Sequence, residues 1–102
     1  MTSPRRVLVT GASSGIGRAV CLEYARRGAS LVLMARTETK LREVAREVEA
    51  AGGKAEAAPG DVGKRADVRR AVETAEKQFG GLDVAIANAG FGIYAEVAGV
   101  TE

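Results

Sequence analysis

Between positions 7 and 17 the chain reads Val7-Leu8-Val9-Thr10-Gly11-Ala12-Ser13-Ser14-Gly15-Ile16-Gly17, an apolar run that breaks into a glycine-spaced turn. Residues of these types at this spacing suit the binding of a pyrophosphate. A diphosphate gripped by backbone N–H groups must come within contact distance of the main chain, and a Cβ aimed at it would block the approach. Gly11 provides the sharp turn off a strand, Gly15 the bare backbone that phosphates approach, and Gly17 the close packing of a helix on that strand. The start of that helix adds a positive partial charge of about half a unit. Its expected apolar stripe is Ile16, Ala19, Val20 and Tyr24, with Glu23 interrupting at i+7.

A second candidate group stands at the end of the next apolar run, where Ala35 is followed by Arg36. In dinucleotide-binding folds an acid at this point bonds the adenosine ribose hydroxyls and repels a 2′-phosphate. A guanidinium instead holds a phosphate in bidentate fashion, and two unit charges about 4 Å apart interact by about 4 kcal/mol at an effective dielectric near 20, before desolvation is subtracted. Ser13 and Thr37 can add hydroxyl donors to the same phosphate. A dinucleotide carrying a 2′-phosphate is therefore the first choice of ligand and its unphosphorylated form the second. The competing reading takes Arg36 as a solvated strand-end charge that Glu38 neutralises.

These groups must be positioned by a small chain. Its 102 residues allow one domain, residues 1–102, and 46% hydrophobic content is ample for a core. The net charge of +2 is spread over both signs, and two Phe and two Tyr with no Trp leave little for base stacking, which argues against a nucleic-acid partner. The polar start Met1 to Arg6 and the short apolar run behind it fit neither a signal peptide nor a membrane span, so a cytoplasmic location is expected. Cys21 is the one cysteine and histidine is absent, which excludes an internal disulfide, the usual zinc sites and histidine-based catalysis. Beside the stripe of the first helix, Cys21 reads as a packing residue.

The order of elements follows from periodicity. A strand at 7–10 precedes a helix at 16–27 that Gly28 ends; a strand at 30–35 precedes a helix at 40–51, with Thr39 as N-cap and a stripe of Leu41, Val44, Ala45 and Val48. A weaker strand at 54–58 leads through the turn Pro59-Gly60-Asp61-Val62-Gly63 into a helix at 64–79. That helix has its stripe at Val68, Ala71, Val72, Ala75 and Phe79, and an expected surface ion pair between Glu73 and Lys77. A fourth strand at 82–87 runs into Asn88-Ala89-Gly90 and an irregular tail. Alternation of this kind predicts an α/β fold, a doubly wound parallel sheet in the order 3-2-1-4 with ligands bound beyond the carboxyl ends of its strands.

Thr10-Gly11-Ala12-Ser13-Ser14-Gly15-Ile16-Gly17, Asp61-Val62 and Asn88-Ala89-Gly90 close the first, third and fourth predicted strands. In this combination the whole chain resembles the amino-terminal, cofactor-binding portion of the short-chain dehydrogenase/reductase family, with a Rossmann-type sheet. The resemblance implies that Gly11, Ser13, Ser14, Gly15, Ile16 and Gly17 hold the cofactor's pyrophosphate and adenosine ribose. It implies further that Asp61 and Val62 contact the adenine, and that Asn88, Ala89 and Gly90 line the nicotinamide side, Asn88 chiefly by steadying the sheet. The competing reading takes Asp61 as a turn former or helix cap before Lys64.

Catalysis in that family uses a tyrosine, a lysine four residues later and an upstream serine. Four residues after Tyr24 stands Gly28, and four after Tyr94 stands Ala98, so no catalytic or metal-binding residue is assigned. The expectation is the NADP(H)-binding portion of an oxidoreductase that moves hydride between nicotinamide and a carbonyl or alcohol carbon, acting on a small-molecule substrate only when completed. The alternative is a non-catalytic nucleotide-binding or partner-docking module. With the sheet truncated after its fourth strand, that strand is expected to form an open edge and to favour self-association.

Overall fold

The computed structural model describes residues 5–87 and the backbone of 93–96. Its strands are β1 (Arg6–Thr10), β2 (Ser30–Ala35), β3 (Lys54–Pro59), β4 (Val84–Ala87) and β5 (Ile93–Glu96), and its helices are α1 (Gly15–Arg26), α2 (Glu38–Ala50) and α3 (Arg65–Phe79). They form one sheet in the order β3-β2-β1-β4-β5. The first four strands are parallel, in the expected order 3-2-1-4.

Strand side chains alternate between two cores, as the pleat requires. Val7, Val9, Leu31 and Leu33 face α1 and α2, in a cluster with Cys21, Ala25, Leu41, Val44 and Val48. Leu8, Val32 and Met34 face α3, packing on Ala71 and Ala75. The third helix therefore lies opposite the first two, the placement that right-handed crossovers give when the strand order reverses. Residues on β1 and β2 are apolar on both faces because both faces are covered.

The stripes of α2 and α3 emerge as the sequence predicts, whereas that of α1 is rotated. Gly17, Cys21 and Ala25 form its buried face; Val20 and Tyr24 are half-buried beside it, and Ile16 and Ala19 are exposed. Small residues at i, i+4 and i+8 let α1 lie close to the sheet, and the larger side chains lean over its flanks. Cys21 is fully buried within the core, and burial pushes its thiol pKa up to about 12. At that value the thiolate is negligible near neutral pH, in keeping with a packing residue.

Other differences are local. The N-cap of α2 is Thr37 rather than Thr39, its carbonyl accepting from the Leu41 N–H at 3.1 Å while its side chain makes no capping bond. Glu73 and Lys77 are not among the ion pairs of the described residues; each extends into water, where such a pair gains little. The expected open edge of β4 is paired instead: β5 runs antiparallel to it in the register Val84↔Glu96 to Ala87↔Ile93. A four-residue run among glycines carries too little periodicity to read as a strand, but the unpaired N–H and C=O groups along β4 give it a partner.

Candidate cofactor-binding site

Parallel pairing brings the carboxyl ends of β1, β2, β3 and β4 to one edge, with Thr10 level with Met34 and Ala87, and Ala35 level with Pro59. The turn after β1 supplies Gly11 to Gly17, the end of β2 supplies Arg36, and the loop after β3 supplies Asp61 and Val62. Asn88, Ala89 and Gly90 follow β4 and lie outside the described residues.

The first turn is held by its own hydrogen bonds. Gly11 adopts a φ of +62°, and its carbonyl accepts from the Ser14 N–H at 3.1 Å and the Ser14 hydroxyl at 2.8 Å. Ser14 is the N-cap of α1: its Oγ accepts from the Gly17 N–H at 3.4 Å and its carbonyl from the Arg18 N–H at 2.7 Å. The N–H groups of Gly15 and Ile16 precede that first helical bond and point out of the helix start, where the dipole favours an anion. The Ala12 N–H donates to the Met34 carbonyl at 3.1 Å and ties the turn to β2.

Gly15 is informative because the protein itself does not require a glycine there. It has no positive φ, and a Cβ added to it would meet nothing within 4 Å. By contrast, a Cβ on Gly53 would lie 2.8 Å from the Ala29 carbonyl oxygen. The clear space over Gly15 is the room a close-bound diphosphate needs. The large apolar side chains exposed among the described residues are Ile16 (70%) and Val62 (44%). Both flank this edge of the sheet, and leaving such surface in water is unfavourable unless something covers it.

The loop after β3 is fixed from two sides. The Asp61 N–H donates to Asp67 Oδ2 at 2.8 Å, and Asp61 Oδ1 accepts from the Gly63 N–H at 2.8 Å, so Asp61 is the turn former its residue type suggested. Asp67, in the first turn of α3, is in turn paired with Arg70. Sequence reading missed Asp67; an acid three residues into a helix is the signal that could have revealed it. The Gly63 N–H, and after it the Arg36 and Lys64 charges, hold the Asp61 carboxyl below the usual carboxylate range.

Arg36 is 80% exposed at the side chain, with Nη2 at 3.5 Å from Asp61 Oδ1. Glu38, the neighbour expected to neutralise it, bonds Arg42 one turn along α2 instead, Arg42 Nε donating to Oε2 at 3.0 Å. Residues assigned to a phosphate and to an adenine thus meet at the rim. Ser13 is half-buried in the turn after β1, and Thr37 is exposed at the start of α2. The set is chemically matched to a nucleotide: main-chain donors and a helix start for a diphosphate, a cation for a further phosphate, and apolar side chains for a base.

Comparison with known proteins shows the family to which a chain of this fold belongs. The family model described as short chain dehydrogenase matches residues 5–102. A glucose 1-dehydrogenase of Gluconobacter oxydans is 46% identical over 90 residues, covering 87% of this chain and 34% of the relative. L-sorbose reductase from Gluconobacter frateurii, solved with NADPH and L-sorbose, superposes with a TM-score of 0.80 at 36% identity over 93% of this chain and 36% of that one. An NADH-dependent reductase A1-R′ solved with NAD gives a TM-score of 0.76 at 34% identity over 86% of this chain and 37% of that one. The chain spans about a third of the length of these relatives. No helix among the described residues is long and apolar enough to cross a membrane.

Proposed function

The chain belongs to the short-chain dehydrogenase family, and from that premise we propose that it binds NADP(H) as part of an oxidoreductase transferring hydride between the nicotinamide and a carbonyl or alcohol carbon of a small molecule. Gly11, Ser13, Ser14, Gly15, Ile16 and Gly17 hold the diphosphate and adenosine ribose in this reading. The adenine lies by Asp61 and Val62, the 2′-phosphate by Arg36, and the nicotinamide side by Asn88, Ala89 and Gly90. The bound dinucleotide supplies or receives the hydride, while these residues fix its position. The reading carries with it a cytoplasmic location, where Cys21 stays reduced.

The observation that supports it most is the clear space over Gly15, which no internal contact or backbone angle explains. The choice of NADP(H) over NAD(H) rests on Arg36, since no acid stands at the end of β2 and the guanidinium reaches well into solvent. Titrating the chain with NADPH and with NADH, followed by cofactor fluorescence, tests it. Arg36→Ala is expected to weaken NADPH about tenfold and NADH little, the loss of one charge-assisted phosphate contact. Equal weakening of both would remove the case for a 2′-phosphate at Arg36.

A further inference from the structure

We propose that Asp61 is a specificity-determining residue of this site: its carboxylate engages the Arg36 guanidinium and thereby limits the preference for a 2′-phosphorylated dinucleotide over an unphosphorylated one. The inference rests on the cofactor reading above and deepens it.

Adjacent strands create the contact. Ala35 at the end of β2 is level with Pro59 at the end of β3, and the Gly60 N–H donates to the Ala35 carbonyl at 2.9 Å, so the two following segments leave the sheet side by side. Of the two charged groups, the carboxylate is the fixed one. Asp61 is 32% exposed, its Oδ1 held by the Gly63 N–H and its own N–H held by Asp67 Oδ2. Arg36, at 80% exposure, meets it through a single nitrogen at 3.5 Å, which leaves the rest of its donor fork facing solvent.

Such a contact does little to hold a long side chain in place, but it sets an anion beside the position a 2′-phosphate would take. A dianion approaching Arg36 then either shares the guanidinium with Asp61 or displaces it, and is repelled by the carboxylate in both cases. An unphosphorylated ribose meets no such repulsion. The adenine contact implied for Asp61 is common to both ligands and cancels from their ratio.

Asp61→Asn removes the charge and keeps an acceptor for the Gly63 N–H; Asp61→Ser does the same with a hydroxyl, should the first variant fold poorly. The ratio of NADPH to NADH affinity, measured by fluorescence titration of wild type and variants, is expected to rise about fivefold in either one, the scale of one exposed charge interaction. In an Arg36→Ala background the rise is expected to be smaller. An unchanged or reduced ratio in both neutral variants would overturn the proposal, a reduction meaning that Asp61 serves only to hold Arg36 in place. Should wild type bind both dinucleotides while the variants leave their ratio fixed, this inference fails and the cofactor reading stands. Should wild type bind neither, the cofactor reading fails and takes this inference with it.

Discussion

At the entrance to β4 the Asp83 carboxylate joins the first and last parallel strands. Its Oδ2 accepts from the Arg6 backbone N–H at 2.9 Å and from Arg6 Nε at 3.0 Å, and its Oδ1 from Arg6 Nη2 at 2.8 Å. The Arg6 side chain is the first cause of the lowered Asp83 pKa, with the Arg6 backbone N–H and charge adding to it. A carboxylate depressed in this way stabilises the fold fully above its unfolded pKa of about 3.9, and the contribution fades as pH falls through the lower folded value. Asp83→Asn is accordingly expected to lower unfolding stability by about 1–2 kcal/mol near neutral pH, a bidentate pair at partial exposure. Urea titrations should show that difference constant from about pH 8 to pH 5 and closing below about pH 4. A deficit that persisted undiminished in acid would point to packing rather than charge. Contacts of this kind are invisible in a sequence, because residues 77 apart meet only once β1 and β4 pair. The same holds for Arg36 and Asp61. What could be read at this scale were single residues whose type departs from its surroundings: a glycine opening a helix, an arginine where an acid would otherwise stand.

Among the elements, α1 shows how far periodicity reaches. Helices α2 and α3 bury Leu41, Val44 and Val48, and Ala71 and Ala75 flanked by Val68, Val72 and Phe79, in line with their sequence stripes. The buried face of α1 is Gly17, Cys21 and Ala25, residues that a hydrophobic pattern weights lightly, so the bulkier Ile16 and Tyr24 drew the reading about 100° away. The displaced Ile16, which the sequence stripe assigned to the core and the resemblance to the cofactor site, is exposed and outside the core. Close approach of α1 also explains Gly53. A Cβ there would lie 3.0 Å from Ala25 Cα as well as 2.8 Å from the Ala29 carbonyl oxygen, atoms of the main chain that cannot rotate aside. Gly53→Ala is therefore expected to destabilise the fold by about 1–3 kcal/mol, the range for overpacking, as a shift in the midpoint of chemical unfolding. A midpoint equal to that of wild type would mean that α1 and the β2–β3 side of the sheet are packed more loosely than described.

For the whole molecule, strand order was legible because strand–helix alternation and right-handed crossovers leave few topologies. The fifth strand was not, since its pairing with β4 depends on a reversal of the chain rather than on any pattern within four residues. With β4 covered, the edge expected to drive self-association is occupied, and the outer strands among those described are β3 and β5. The glycine-rich turn opens onto the carboxyl edge of this sheet. Four parallel strands bring a helix start, an exposed arginine, a fixed carboxylate and two uncovered apolar side chains to a single rim. The most direct test is calorimetric titration of NADPH into wild type and Gly15→Val, with thermal unfolding of both recorded alongside. Because a Cβ at position 15 meets nothing within 4 Å beyond its chain neighbours and its own helix turn, the variant is expected to unfold within a few degrees of wild type, as for an exposed substitution near a helix end. It should nevertheless lose NADPH binding by about a hundredfold or more, the scale of about 3 kcal/mol or more lost from a blocked diphosphate. Equal affinity in the two proteins, with the variant folded, would contradict the account.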